Sequence, residues 1–223
     1  MNKLVIKLTG KLFDKTSLLK KYVDLFRELG KKYKLVIVTG GGNTARKYIE
    51  TARKIGVESN YWLDTIGIIA SRLNSYLLIS SLYPDAYPKP VEDLEELCKA
   101  INYARVLTVG GLIPGQSTSS VALEVAEAIG VKSIVNVSAV DYVYDKDPVK
   151  YPDAKKYIEI KASHLIKILE QKQLPGEYAL IDIRALELAI RSGIIIYNVY
   201  YRDPGNVVKV LNGENPGTII YPE

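Results

Sequence analysis

Residues 35–46 read LVIVTGGGNTAR, and this stretch decides the fold. The apolar run at residues 35–38 predicts a buried strand, and three consecutive glycines at residues 40–42 follow it. Residues at helical spacing continue from Asn43, which predicts a helix. A strand, a glycine-rich turn and a helix in this order are typical of a parallel βαβ unit.

The same alternation extends along the chain in both directions. Residues 4–8 predict a strand that ends at Thr9 and Gly10, and residues 17–29 predict a helix that Gly30 would cap. The later strands are predicted at residues 105–109, 132–137 and 194–199, and the later helices at residues 60–82, 91–101, 118–129, 163–170 and 181–192. The chain is therefore predicted to be an α/β protein with a mainly parallel sheet.

Helix 60–82 differs from the other predicted helices because apolar residues surround it on nearly all sides. A surface helix carries a narrower apolar stripe. We therefore expect this helix to be buried on most sides, and a second subunit is one source of cover.

The composition is that of a globular protein: of 223 residues, 48% are hydrophobic and 25% charged. One cysteine, Cys98, and one histidine, His164, exclude an internal disulfide and a zinc site built from these residue types. With no apolar run of membrane-spanning length, we expect a cytoplasmic protein. The formal charge of +5 favours an anionic ligand, and the abundant Lys and Tyr point to a thermophilic source.

Three glycine turns, at residues 9–10, 40–42 and 110–111, each follow a predicted parallel strand. The carboxyl ends of such strands meet at one edge of the sheet, where glycines and helix N-termini bind phosphate. The patterns GxxxxGK[ST] and GxGxxG are both missing, which argues against a Walker-type site and against hydride chemistry.

Two basic residues stand at these turns. Lys7 lies in the first apolar strand, two residues before Thr9, where a lysine supplies positive charge to a transferring phosphoryl group. Arg46 lies one turn into the helix after the three glycines and can reach the same phosphates. A solvated surface position is the alternative for each residue.

These features together resemble the amino-acid kinase superfamily and, within it, the uridylate kinases of archaea. The motifs that carry the resemblance are Lys7 with Thr9-Gly10, VTGGGNTAR at residues 38–46, Asp64-x-x-Gly67, Arg72-x-Asn74, Gly110-Gly111, PGQST at residues 114–118, VDYVY at residues 140–144 and Asp147-Pro148. The resemblance runs over nearly the whole chain, in the family's order and at similar spacing.

The resemblance implies a three-layer αβα sandwich with a mainly parallel central sheet. It implies that UMP is phosphorylated to UDP in pyrimidine nucleotide biosynthesis, by direct in-line transfer from ATP, with Mg²⁺ bound to the ATP. It further implies a homohexamer built as a trimer of dimers. A single domain, residues 1–223, would comprise an acceptor-binding and oligomerisation lobe at residues 1–137 and an ATP-binding lobe at residues 138–223.

The resemblance also assigns roles to residues of this chain, with no resident metal site. The catalytic residues would be Lys7, Arg46 and Asp141. ATP would contact Lys7, Thr9, Gly10, Gly42, Arg46, Ser138, Ala139, Tyr144 and Asp147. UMP would contact Gly41, Asp64, Leu112, Ile113, Pro114, Gly115, Gln116, Ser117 and Thr118.

The chain departs from the family pattern at two places. Residues 138–144 read SAVDYVY where relatives often have TNVDGVY, and Tyr142 resists the positive φ that a glycine allows, so we expect a different loop conformation. Ser119 stands where many members carry an acidic residue. An acidic group that organises Lys7 is then either missing or supplied by Asp141 or Asp182, and Asp147 is a third carboxylate that could organise the lysine or the magnesium.

Two alternatives remain. The first is another kinase of the superfamily, acting on isopentenyl phosphate, carbamate or an amino acid. Kinases of isopentenyl phosphate use a histidine near the acceptor phosphate, whereas His164 lies far along the chain from the acceptor motifs. The amino-acid branches usually carry a second lysine in a late glycine-methionine turn, and the only methionine here is Met1, so a nucleotide acceptor is favoured. The second is a non-catalytic regulator that binds RNA or a nucleotide. The lysine pairs at residues 20–21, 31–32 and 155–156 are scattered, which favours a solvated surface and no nucleic-acid or membrane partner.

Overall fold

The computed structural model describes residues 1–146, 148, 151–171 and 181–223. The strands are β1 Asn2–Leu8, β2 Tyr33–Thr39, β3 Val106–Val109, β4 Ser133–Ser138, β5 Val143–Tyr144, β6 Lys156–Tyr157, β7 Glu159–Lys161, β8 Ile195–Tyr200 and β9 Thr218–Tyr221. The helices are α1 Thr16–Lys32, α2 Gly42–Lys54, α3 Asn60–Leu82, α4 Leu94–Ala100, α5 Thr118–Ala128, α6 Ala162–Gln171, α7 Ile183–Ser192 and α8 Gly205–Leu211, with a 3-10 turn at Gly10–Asp14.

Seven strands form the central sheet in the order β3-β2-β1-β4-β8-β9-β7. Every neighbouring pair is parallel except β8 and β9, which are antiparallel. Strands β5 and β6 form a separate antiparallel pair. The predicted α/β class with a mainly parallel sheet is confirmed.

Helices cover both faces of this sheet. On one face, Val5 and Ile134 belong to a core that includes residues of α4, α5, α6 and α7. On the other face, Ile6 and Leu35 pack in a second core with Phe26 of α1 and Leu78 of α3. Alternate residues of the strands thus supply two separate apolar layers, as the sandwich architecture requires.

Both segments of the predicted two-lobe division contribute to the sheet. Residues 1–137 supply β3, β2, β1 and nearly all of β4, and the later residues supply β8, β9 and β7. The two segments therefore occupy adjacent halves of one sheet, and their functional division stays a prediction. Among the described residues, no helix combines the length and apolar character needed to cross a membrane.

The predicted cap at Gly30 is wrong. Helix α1 continues through Gly30 to Lys32, and β2 begins at the next residue. A Cβ atom at Gly30 would lie 3.0 Å from Val106 Cγ2, so this glycine lets α1 approach β3 closely. A glycine near a helix end has the same sequence signature in either role.

Helix α3 has the predicted bounds, and the chain itself covers only part of its surface. Leu63, Leu78 and Leu82 are buried, whereas Trp62 and Leu73 lie on a face where more than half of each side chain is exposed. The single chain therefore buries one side of α3, and burial of the other side against a second subunit stays a prediction. The broad apolar distribution reflects two apolar faces, of which this chain covers one.

Candidate active site

The first two glycine turns touch each other at the carboxyl ends of β1 and β2. A Cβ atom at Gly10 would lie 2.0 Å from the Gly42 amide nitrogen, and Gly42 has a φ of +63°. Only glycine fits at either position without displacing backbone. The contact brings the turn after β1 and the N-terminus of α2 together, as a site for phosphate groups requires.

Lys7 lies beside this contact on β1, an interior strand of the sheet. Its register partners are Val38 on β2 and Asn136 on β4, and its side chain lies on the face that α5 and α7 cover. Burial lowers the pKa of Lys7 from 10.5 to about 8, and the Asp182 carboxylate opposes part of that fall. A half-buried lysine whose pKa is shifted by burial and by a nearby carboxylate fits a role in phosphoryl transfer.

Asp182 ties the N-termini of two helices together. It caps α7 by accepting a hydrogen bond from the Ala185 amide at 3.1 Å, and it accepts another from Ser120 Oγ at 3.0 Å. Ser117 Oγ also donates to it, while capping α5 by accepting from the Ser119 and Ser120 amides. The positive ends of α5 and α7 and the carboxylate of Asp182 thus converge near Lys7.

The residues predicted for the acceptor are joined by one direct contact. The Gly115 amide donates to Asp64 Oδ2 at 2.8 Å, which links α3 to the loop at residues 112–118. Gly115 has a φ of +76°, so the loop turns sharply there. Gln116 donates through Nε2 to Glu124 of α5, and Ile113 is exposed. The middle of the loop is therefore held to α3 through Gly115 and to α5 through Gln116.

The third glycine turn has a different role from the one expected. A Cβ at Gly110 would lie 2.7 Å from Arg72 Cγ, and the Gly111 amide already donates to Ser71 Oγ at 2.7 Å. This turn therefore packs on α3 and does not offer the Gly111 N–H to a phosphate. From the same helix, Asn74 Nδ2 donates to the Gly40 carbonyl at 2.7 Å.

Helix α3 thus holds two of the glycine turns through buried polar side chains. Ser71 and Asn74 are 1% and 4% exposed. In the sequence, Arg72-x-Asn74 is a motif of the family resemblance, but no role is predicted for Ser71 or Asn74. Polar residues within a long apolar helix are the signal that points to them.

Arg46 lies in the first turn of α2, next to the contact between the glycine turns. Its side chain is exposed, and its guanidinium donates to Asn43 Oδ1. Asn43 Nδ2 in turn donates to Asp14 Oδ2 at 2.6 Å, on the 3-10 turn that follows Gly10. Arg46 is therefore held at the rim of the site, where a nucleotide can reach it.

The loop predicted to bind ATP begins at the end of β4. Ser138 is buried and its Oγ accepts from the Val140 amide at 3.2 Å, and Ala139 is half-buried. Tyr144 Oη donates to the Asp141 carboxylate at 3.2 Å. Burial, and then the charge of Asp141, raises the pKa of Tyr144.

Asp141 is thus engaged with Tyr144, whereas Asp182 is the carboxylate that acts electrostatically on Lys7. No non-glycine residue of the described chain has a positive φ, so Tyr142 adopts an ordinary backbone conformation, as expected for a loop without the family's glycine. The predicted site residue Asp147 lies outside the described residues.

The chain also resembles known proteins and matches a protein family. The model of the amino acid kinase family matches residues 2–198. The chain is 64% identical over 222 residues to a uridylate kinase of the archaeon Staphylothermus marinus, and the match covers 99% of both chains. It is 43% identical over 217 residues to a uridylate kinase of Pyrobaculum calidifontis, covering 97% of this chain and 99% of the relative.

A solved structure supports the same relationship. The crystal structure of uridylate kinase from Archaeoglobus fulgidus matches with a TM-score of 0.88 and 33% sequence identity. The match covers 98% of this chain and 99% of that chain.

Proposed function

Because the chain belongs to the amino acid kinase family, we propose that it is a nucleoside monophosphate kinase that transfers the γ-phosphoryl group of ATP to UMP. The relatives that match this chain over nearly their whole length are uridylate kinases, and this supports UMP as the acceptor. One observation carries the proposal: Lys7 stands between two touching glycine turns and the N-termini of two helices. That arrangement suits the negative charge of two phosphate groups.

The donor site in this proposal lies at the first two glycine turns. Gly10 and Gly42 would approach the ATP phosphates through their backbone, with Thr9 and Arg46 beside them. The touching backbones leave no side chain between the turns, which supports this placement. The adenosine end would lie along the loop that holds Ser138, Ala139, Tyr144 and Asp147.

The acceptor site in this proposal lies between α3 and the loop at residues 112–118. Asp64 would bind the ribose of UMP while it holds the Gly115 amide, since a carboxylate can accept several hydrogen bonds. Ser117 and Thr118, at the N-terminus of α5, would bind the acceptor phosphate, with Gly41 nearby. The uracil ring would be enclosed by the same loop, at residues 112–116.

The reaction in this account needs no general base. A phosphate oxygen of UMP is already a nucleophile, so the rate depends on in-line positioning and on neutralising the charge of the transferred group. The Lys7 ammonium would supply part of that charge. Asp182 favours the charged form of Lys7, which keeps it active near neutral pH.

We propose that Mg²⁺ enters the site with ATP, as part of the substrate. Kinases typically hold Mg²⁺ through one or two carboxylates together with phosphate oxygens and water. The described residues contain no group of three or more His, Cys, Asp or Glu side chains that could hold a metal by themselves. Asp141, Asp147 or Asp182 would supply the carboxylate, and the triphosphate would supply most of the oxygens.

A second copy of the chain would cover the exposed face of α3. Trp62, Ile69, Leu73, Tyr76 and Leu77 are each between 47% and 60% exposed on this helix. A patch of this kind is typical of a subunit interface. We propose a dimer through α3 and a hexamer assembled from three such dimers, in the cytoplasm, where the exposed thiol of Cys98 stays reduced.

An acceptor screen tests the proposed function. Purified protein with ATP and Mg²⁺ is given UMP, CMP, isopentenyl phosphate or carbamate, and ADP release is followed by a coupled assay. We expect UMP to give the highest kcat/KM, and Asp64→Ala to raise the KM for UMP more than that for ATP. Equal turnover of another acceptor would assign the chain to a different kinase of the family, and salt-dependent RNA binding without turnover would support the regulator.

A further inference from the structure

Three polar side chains form a row across one face of the central sheet. Lys7, Asn136 and Asn198 are register partners on the neighbouring parallel strands β1, β4 and β8. Asn136 is 1% exposed and Asn198 is 0% exposed. Two residues earlier on each strand, the same face carries the apolar row Val5, Ile134 and Ile196. A buried amide pair next to Lys7 therefore interrupts an otherwise apolar surface.

The hydrogen bonds of this row fix the orientation of both amides. Asn198 Nδ2 donates to the Val140 carbonyl at 3.4 Å, and a carbonyl can only accept. Asn198 Oδ1 must then face β4, where Asn136 Nδ2 donates to it at 2.9 Å. Asn136 Oδ1 takes no part in this amide pair, and β1 is the strand on the other side of Asn136.

That oxygen is a buried acceptor, and no described residue donates a hydrogen bond to it. Leaving a buried acceptor unpaired costs free energy, so such an atom calls for a partner. Lys7 is the register partner of Asn136 on β1, and neighbouring strands of a sheet lie about 4.8 Å apart. Its ammonium has three donors on a flexible stem and makes no hydrogen bond to a described residue.

We propose that Asn136 is a positioning residue for Lys7: after a rotation of the flexible lysine side chain, its Oδ1 accepts a hydrogen bond from the Lys7 ammonium, and this contact holds the ammonium in place for phosphoryl transfer. The proposal rests on the proposed function, because it assigns Lys7 to the transferred phosphoryl group. Asn198 and the Val140 carbonyl hold the amide in the orientation that offers this oxygen. Since Val140 lies between Ala139 and Asp141, the same chain of hydrogen bonds links the lysine to the loop predicted to bind ATP.

A test must separate the effect of Asn136 on Lys7 from the effects of the charged groups on the surrounding elements. Asp182, from α7, acts on Lys7 directly. Helix α5 contributes Glu124, whose carboxylate lies 3.4 Å from Arg184, and β2 contributes only the apolar Val38 next to Lys7. Arg46 on α2 and Asp141 in the ATP loop are engaged with Asn43 and Tyr144. None of these groups is altered by substitutions at Asn136.

The test measures the ionisation of Lys7 by NMR in protein carrying ¹³C-labelled lysine, with Lys7→Arg to assign the signal. An acceptor for the ammonium favours its charged form. Burial and Asp182 alone give a pKa of about 8 for Lys7, so the proposed contact is expected to hold the wild-type midpoint above that value. Asn136→Leu is expected to lower the midpoint by about one pH unit relative to the wild type, and Asn136→Asp to raise it above the wild-type value. The alkaline fall of kcat/KM is then expected to begin about one pH unit lower in Asn136→Leu than in the wild type, because fewer molecules carry the ammonium.

Thr108→Val is the matched control. Thr108 is 0% exposed, its Oγ1 is also unpaired among the described residues, and it lies on the opposite face of the sheet. We expect this variant to leave the Lys7 midpoint unchanged, whatever it does to stability. An Asn136→Leu midpoint equal to that of the wild type would overturn the proposal.

A second variant protects the test from a folding failure. If Asn136→Leu does not fold, Asn136→Asp decides the matter, and a midpoint at or below the wild-type value overturns the proposal. The NMR measurement needs no turnover, so it is independent of the proposed function. If the wild type fails to phosphorylate UMP but the Asn136 variants shift the Lys7 midpoint as expected, the proposed function is wrong and the proposed contact is supported.

Discussion

A methyl group on Gly10 would lie 2.0 Å from the amide nitrogen of Gly42. The turn after β1 and the turn after β2 thus touch backbone to backbone, with Gly42 held at a φ of +63°. This contact puts the two turns, Lys7 and the N-terminus of α2 at one point of the sheet edge. It also makes the site sensitive to a single added carbon atom.

We expect Gly10→Ala to lower kcat at least tenfold and to lower the melting temperature, because the added Cβ forces the two turns apart. Gly67→Ala on α3 is the control, since a Cβ there meets only Ile49 Cδ1 of α2 at 3.6 Å, an ordinary van der Waals contact. We expect the control to keep its melting temperature or gain slightly from higher helix propensity. Calorimetry and steady-state kinetics measure both effects, and wild-type kinetics for Gly10→Ala would contradict the predicted packing.

We expect Lys7→Met to be inactive and yet more stable than the wild type at pH 7. The pKa of Lys7 is about 8 in the folded chain and ordinarily 10.5, so below pH 8 the folded state carries a partly buried charge that is better solvated after unfolding. Removing it is expected to stabilise the fold by on the order of 1–3 kcal/mol.

The sign of this effect has its own pH dependence. Between about pH 8 and 10.5 the folded wild type loses the proton that the unfolded chain retains, so wild-type stability rises with pH and the advantage of Lys7→Met shrinks. Urea unfolding at pH 7 and pH 10 measures this, with Lys20→Met, an exposed lysine on α1, as the control. If the difference in stability between Lys7→Met and the wild type were the same at both pH values, burial of the Lys7 charge would not be its cause.

We expect Asp182→Asn to keep the helix cap and to lose activity toward alkaline pH. Asparagine can still accept the hydrogen bonds from the Ala185 amide and Ser120 Oγ. It removes the charge that opposes the fall in the pKa of Lys7, so the decline of kcat/KM, expected near pH 8 in the wild type, moves to lower pH. A pH profile that superposes on that of the wild type would exclude Asp182 as the carboxylate that organises Lys7.

We expect Leu73→Asp to separate the subunits, because it places a charge in the exposed apolar face of α3. Leu73 is 55% exposed in the single chain. Val208→Asp on α8 is the control, since Val208 is an apolar residue of 40% exposure outside this face. Light scattering after gel filtration would show a smaller particle for Leu73→Asp alone, whereas an unchanged mass would place the interface elsewhere.

The architecture was predictable because the strands are short apolar runs and each is followed by a turn and a helix. The bounds of α3, residues 60–82, agree with the prediction, since a long apolar stretch without proline has few other outcomes. Its partly exposed surface was not predictable, because periodicity shows that a face is apolar but not what covers it.

Part of the candidate site was predictable and part was not. Contact between the turns at Gly10 and Gly42 follows from adjacent parallel strands, which bring their carboxyl ends together. The packing role of Gly110 depends on how closely α3 approaches, and the buried partners of Asn136 depend on strand order. Neither distance along the chain nor residue type encodes those two relationships.

The transfer of label from ATP tests the central claim most directly. Protein is incubated with Mg²⁺, UMP and ATP labelled with ³²P at the γ-phosphate, and the nucleotides are separated. The account predicts that the label appears in the β-phosphate of UDP, and that Lys7→Met reduces its rate of appearance at least a hundredfold. Label that stays in ATP, or that passes to CMP as readily as to UMP, would contradict it.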